Sequence, residues 1–124
     1  MAKVIGFGGI YFKSSDPTAL ANWYQTHLQL PLEEWGGAVF FPKNLPQGSY
    51  QTLTPFPQDT DYFAPSEKPY MFNLVVDDLE LILAQITAGG GIPIDSIEDT
   101  EFGRFAWFID PDGNKIELWQ PSST

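Results

Sequence analysis

Cysteine is absent from the 124 residues, which excludes disulfides, thiolate metal ligands and a cysteine nucleophile. Histidine is almost absent: His27 is the single imidazole. A catalytic zinc usually draws on three protein ligands, so this chain is short of the commonest donors. Basic residues are few as well, six Lys and Arg against sixteen Asp and Glu, for a formal charge of −10 at neutral pH. That field repels phosphate backbones and anionic lipid heads, and argues against nucleic acid and membrane surfaces as partners. No apolar run approaches a membrane span. Met1-Ala2-Lys3-Val4-Ile5 passes straight into a strand-like run without the apolar core of a signal peptide, so a cytoplasmic protein is expected.

Aromatic side chains, by contrast, are plentiful: ten Phe, five Tyr and four Trp in a chain that is 43% hydrophobic. This suits a packed domain, and aromatics that line a cleft also offer stiff contact area to a small organic ligand. At this length one domain, or two half-domains sharing a core, is expected. The acids concentrate in residues 77–124, with ten acids against two bases, whereas residues 1–76 have six against four. Most of this charge reads as a solvated surface.

Two stretches of the chain repeat the same order of elements. Residues 4–13 read as a strand loosened by Gly6, Gly8 and Gly9, and Ser14-Ser15-Asp16-Pro17 reads as a helix start. Ala19, Leu20, Trp23, Tyr24 and Leu28 then recur at helical spacing. After Pro31, short extended pieces are expected at 32–35, 38–41 and 50–54, with a tight turn at Gly36-Gly37. The second stretch opens with a strand over 70–76, then Asp77-Asp78 and a helix carrying Leu79, Ile82, Leu83 and Ile86, closed by Gly89-Gly90-Gly91. Strands are expected at 92–97, 104–109 and 115–120. The last two flank Asp110-Pro111-Asp112-Gly113, a reversal in which Pro presets one dihedral and Gly accepts a positive φ. The pattern predicts a single α+β domain over 1–124, built from modules 4–54 and 70–121 with a proline-bearing connector over 55–69.

Four pieces in this order carry a family resemblance: Phe12-Lys13-Ser14-Ser15-Asp16-Pro17, Trp23-Tyr24 ahead of His27-Leu28, Val75-Val76-Asp77-Asp78-Leu79, and Phe108 through Leu118. On these the chain resembles the vicinal oxygen chelate superfamily of glyoxalases, bleomycin-resistance proteins and extradiol dioxygenases. The resemblance implies paired βαβββ modules curving around a cleft, often completed in a homodimer, with a divalent metal held by His and carboxylate groups. It places Glu117 at the C-terminal ligand position, Met71 at the ligand position before Val75-Val76-Asp77-Asp78, and Ile10 at the first-strand position. Neither Ile nor Met replaces imidazole or carboxylate on a hard metal, so no metal and no cofactor are expected.

Strand alternation then defines a candidate pocket. Ile10 and Phe12 share a face, as do Met71 and Asn73, and Glu117 and Trp119. These six residues form the expected ligand-binding set, Asn73 and Glu117 as its polar members and Met71 as adaptable apolar surface. Trp35, Phe40 and Trp107 are candidates to extend the aromatic wall or to pack in the core. His27 reads as a partner for the helix C-terminus, the glycine triplet as a helix stop, and Tyr11, Tyr50, Tyr62 and Tyr70 as packing or surface residues. The acids at 95, 98, 99 and 101 lack a calcium-loop spacing, and Ser14 and Ser15 lack a triad. The expected function is metal-independent binding of a small, planar or partly apolar molecule, in sequestration or resistance. The alternative is a divergent lyase, isomerase or dioxygenase in which Glu117 is the catalytic base or a metal ligand.

Overall fold

Helices start at both expected places in the computed structural model, which describes residues 1–3 and 5–122, although the second is capped by Asp78 and not by Asp77, the expected start. Asp16 caps helix α1 (Pro17–Leu28), its carboxylate accepting from the Ala19 N–H at 3.1 Å, and Pro17 occupies the first turn, where no N–H is needed. Asp78 caps α2 (Leu79–Ala88) in the same way through Leu81. The helices pack on one another at a close approach that only glycine allows. The Trp23 indole donates to the Gly89 carbonyl at 2.8 Å, and a Cβ on Gly89 would lie 2.6 Å from the His27 ring. His27 thus sits in the last turn of α1 against Trp23, and its carbonyl accepts from Gln85.

Four strands follow the expected second module: β1 (Phe72–Val75), β2 (Ile92–Thr100), β3 (Gly103–Ile109) and β4 (Lys115–Pro121). They form one sheet in the order β1-β4-β3-β2, with β1 parallel to β4 and the other pairs antiparallel. A bulge between Ile94 and Glu98 lets β2 run to Thr100, beyond the expected end at 97. Alternation divides the sheet cleanly. Ala106 and Phe108 of β3 and Ile116 and Leu118 of β4 bury against Leu20, Tyr24, Leu79 and Ile86 of the helices, with Phe72 and Leu74 packed alongside. Complete burial of a Phe, Leu or Ile side chain contributes about 1.5–3 kcal/mol, so this layer is the main source of stability. Asn73, Trp107, Lys115, Glu117 and Trp119 point to the opposite face.

The α+β class and the helix–sheet order agree with the sequence, and the first stretch departs from it. Among the described residues, 5–13, 38–41 and 50–54 enter no ladder, and the only β-pairing before β1 is the bridge between Leu32 and Ala38. The turn between those two residues forms as expected, Glu33 N–H donating to the Gly37 carbonyl at 2.8 Å. The expected strands at 4–13, 32–35, 38–41 and 50–54 therefore do not build a second four-stranded sheet within this chain; residue 4 lies outside the described residues. β-propensity favours strand-like backbone, but a ladder also needs a partner held in register, and among the described residues these segments do not pair with the open edges of β1 and β2.

The hairpin between β3 and β4 is held by one buried acid. Asp110, only 4% exposed, accepts from the backbone N–H groups of Asp112 and Asn114, from the Asn114 side-chain amide and from the Tyr24 hydroxyl at 2.8 Å. Burial, and then the Asp110 charge, push the Tyr24 hydroxyl far above the usual phenol range. A hydrogen bond to a buried charge is worth about 1.5–3 kcal/mol, so Tyr24→Phe should lower unfolding free energy by about that amount in urea titrations. Because the folded pKa is raised, the contribution of Tyr24 is complete below about pH 10 and declines by about 1.4 kcal/mol per pH unit above it, as the unfolded phenol ionises. The wild-type protein should lose stability more steeply than Tyr24→Phe between pH 10 and 11; parallel profiles would contradict the assignment.

Candidate functional site

Glu117 lies in the middle of β4 on the sheet face away from the helices, directly opposite Asn73 of β1 and Trp107 of β3. The register brings three donors to its carboxylate. Asn73 donates its side-chain amide to Oε1 at 2.7 Å, and the Trp107 indole donates to Oε2 at 3.0 Å. The third donor comes from the connector: the Tyr62 hydroxyl reaches Oε2 at 2.5 Å. Burial, and then the bond to Glu117, raise the Tyr62 hydroxyl above the usual phenol range, so it remains a donor throughout physiological pH.

Aromatic rings and one ammonium surround this carboxylate. Tyr62 stacks on Phe56 at 5.5 Å and meets Trp107 edge-on at 6.5 Å. Lys115, 5% exposed and two residues before Glu117, places Nζ 5.1 Å from the centre of the Tyr62 ring and donates to the Tyr62 carbonyl at 2.6 Å. Farther along the same face Trp119 lies between Phe105 and Tyr50, its indole donating to the Phe102 carbonyl at 2.8 Å. Two open clefts, about 510 and 740 Å³, lie elsewhere: one beside Val76, Arg104 and Gln120, the other between residues 5–8 and 42–51. Neither is lined by Glu117.

Of the expected ligand-binding set, Asn73, Glu117 and Trp119 share this face, and Met71 just before β1 has the same parity. Phe12 does not join them. It packs on Phe72 at 4.6 Å and on Tyr70, residues of the opposite parity, because alternation carries Phe12 to the Glu117 face only if 4–13 pairs as a strand of the sheet. Ile10 is exposed in the same unpaired segment and makes no hydrogen bond or ring contact with the Glu117 group. Trp107 belongs to the site, whereas Trp35 and Phe40 stay exposed. Sequence reasoning missed two members. Lys115 carried a signal, since it shares a strand face with Glu117; Tyr62 carried none, since it lies in a proline-bearing segment with no periodicity.

The donor set around Glu117 does not fit a metal. An indole N–H and an amide NH₂ present hydrogens, not lone pairs, and together with the tyrosine hydroxyl they occupy both carboxylate oxygens. Among the described residues no three His, Asp or Glu side chains converge as ligands. Purified protein, exchanged into metal-free buffer, should hold less than about one tenth of a transition metal per chain by elemental analysis. Near-stoichiometric metal that disappears in Glu117→Gln would contradict this.

The sequence matches the glyoxalase-like domain family over residues 9–119. Among curated proteins, CFP32 of Mycobacterium bovis and of Mycobacterium tuberculosis, named as a candidate glyoxylase, is 26% identical over 106 residues, covering 83% of this chain. The chain spans 38% of the length of those relatives. Among solved structures, TnmS3, an antibiotic binding protein from Streptomyces sp. CB03234, aligns over 88% of this chain and 89% of its own with a TM-score of 0.50 and 22% identity, a likeness of fold. The family match begins before α1 and runs into β4 through the hairpin that carries Glu117, and on that ground the chain belongs to the glyoxalase-like domain family of the vicinal oxygen chelate superfamily.

Proposed function

We propose that this protein binds a small, planar or partly apolar molecule on the Glu117 face of its sheet, without a metal, and serves in sequestration or resistance in the cytoplasm. The observation that carries the reading is a carboxylate set among Tyr62, Trp107 and Asn73 on an aromatic surface, which offers one polar anchor within a broad apolar contact. The antibiotic-binding role in the name of TnmS3 supports the same reading by likeness of fold. For the enzyme alternative, a lyase, isomerase or dioxygenase using Glu117 as base, the carboxylate would first have to give up the three hydrogen bonds it accepts.

The test is capture of ligands from a cell extract by immobilised protein, with mass spectrometry of what elutes. Wild-type protein should enrich one aromatic class of compound, and Glu117→Gln and Trp119→Ala should each reduce that enrichment at least about tenfold, the loss expected for about 1.4 kcal/mol of contact. Equal enrichment on all three proteins would overturn the assignment.

The protein is further proposed to be a homodimer. Ile5, Ile10, Tyr11, Trp35, Phe40 and Leu53 are large apolar side chains exposed in the first half of the chain, and covering them with a second copy would remove that area from water. Light scattering should give twice the 13.9 kDa chain mass from dilute to concentrated solution; a monomer throughout would contradict the proposal.

A further inference from the structure

Two tyrosine–carboxylate pairs of opposite character are attached to the same hairpin. Tyr24 meets Asp110 inside the core, with the tyrosine 7% exposed and carried by α1. Tyr62 meets Glu117 at the surface, with the tyrosine 38% exposed and carried by a segment without helix or ladder. The first pair is sealed into the packing. The second is held by one hydroxyl contact, a stack on Phe56, an edge contact with Trp107, and Lys115 at the ring face and carbonyl.

Tyr62 therefore displays what the site receives: a phenol whose hydroxyl donates to Glu117 and whose ring lies against aromatic carbons with a cation over its face. We propose that Tyr62 is a displaceable plug and that the ligand of this face is a hydroxylated aromatic molecule, which takes over the donor position on Glu117 and releases the strap of residues 55–69. This rests on the binding reading above and names its ligand class. The exchange replaces one phenol–carboxylate hydrogen bond with another, so its polar part is close to neutral, and a larger fused ring supplies the net gain through added contact with Trp107. The site selects for a neutral donor. A ligand carboxylate would face Glu117 in a chain of charge −10, and an aryl ether cannot donate to it.

The test uses 2-naphthol and 2-methoxynaphthalene, which share a ring system and differ in the donor, in calorimetric titrations of the full chain at neutral pH. Wild-type protein should bind 2-naphthol about tenfold more tightly than the ether, and Tyr62→Phe, which removes the competing hydroxyl and leaves only the Trp107 indole on Glu117 Oε2, should tighten 2-naphthol by about a further tenfold. Amide hydrogen exchange over residues 55–69 should speed up when 2-naphthol saturates the wild type, a response that a purely structural tyrosine would not give. If Tyr62→Phe does not fold, Phe56→Ala, which removes the stack on Tyr62 along with a contact to Phe63 and leaves the hydroxyl in place, should tighten 2-naphthol in the same direction. Equal affinity for the two probes, weaker binding by Tyr62→Phe, or slower exchange over the strap would overturn the plug while leaving the binding reading in place. No binding of either probe to any of these proteins would overturn both.

Discussion

A carboxylate taken out of water must be surrounded by donors, and Asp110 meets that requirement by drawing three parts of the chain together. Its oxygens receive the backbone of its own turn, the amide of Asn114 and the hydroxyl of Tyr24 from α1. Asn114, also buried, accepts in turn from the Tyr70 hydroxyl just before β1. The acid thus sets the reversal between β3 and β4, the seat of α1 on the sheet and the approach of the chain to its first strand. Removing it would leave a buried amide, a buried hydroxyl and turn N–H groups without acceptors, which is why the β3–β4 hairpin can be treated as the fixed part of the molecule.

On that rigid hairpin the next carboxylate along β4 faces the other way. Glu117 is seven residues from Asp110, yet strand alternation delivers it to the far side of the sheet, where one of its three donors belongs to an irregular segment. The contrast in burial gives the two acids different work. Asp110 is surrounded by partners fixed in the core, whereas Glu117 keeps two partners on neighbouring strands and one on a strap. A site of this kind is preorganised on its sheet side and exchangeable on its outer side, an arrangement suited to reversible recognition.

Much of this was legible in the sequence because it depended on local rules. The cap at Asp16, the acidic helix start at Asp77-Asp78, the apolar stripes of α1 and α2, and the reversal at Asp110-Pro111-Asp112-Gly113 are decided within a few residues, and the structure forms each of them, with Asp78 one residue past the expected start as the second cap. The pairing of Asn73 with Glu117 was legible in part, since alternation fixed the faces while only the β1–β4 register fixed the contact. What could not be read were facts about neighbours. Residues 5–13 and 50–54 have strand-like composition, but whether such segments join a ladder depends on an edge elsewhere, and the placement of Ile10 and Phe12 failed with that assumption. Tyr62 was invisible for a related reason, because a segment without periodicity gives no clue to the face it will cover.

The four indole N–H groups of the chain allow the central claim, ligand recognition at Glu117, to be observed directly. Trp107 donates to Glu117, Trp23 donates to the Gly89 carbonyl on the helix side, and Trp119 donates to the Phe102 carbonyl. In a ¹H–¹⁵N correlation spectrum of the folded protein titrated with 2-naphthol, the Trp107 indole and the Asn73 side-chain amide should shift most, and the Trp23 indole should stay in place. A titration that moves Trp23 and leaves Trp107 and Asn73 unshifted would put binding elsewhere and contradict the account.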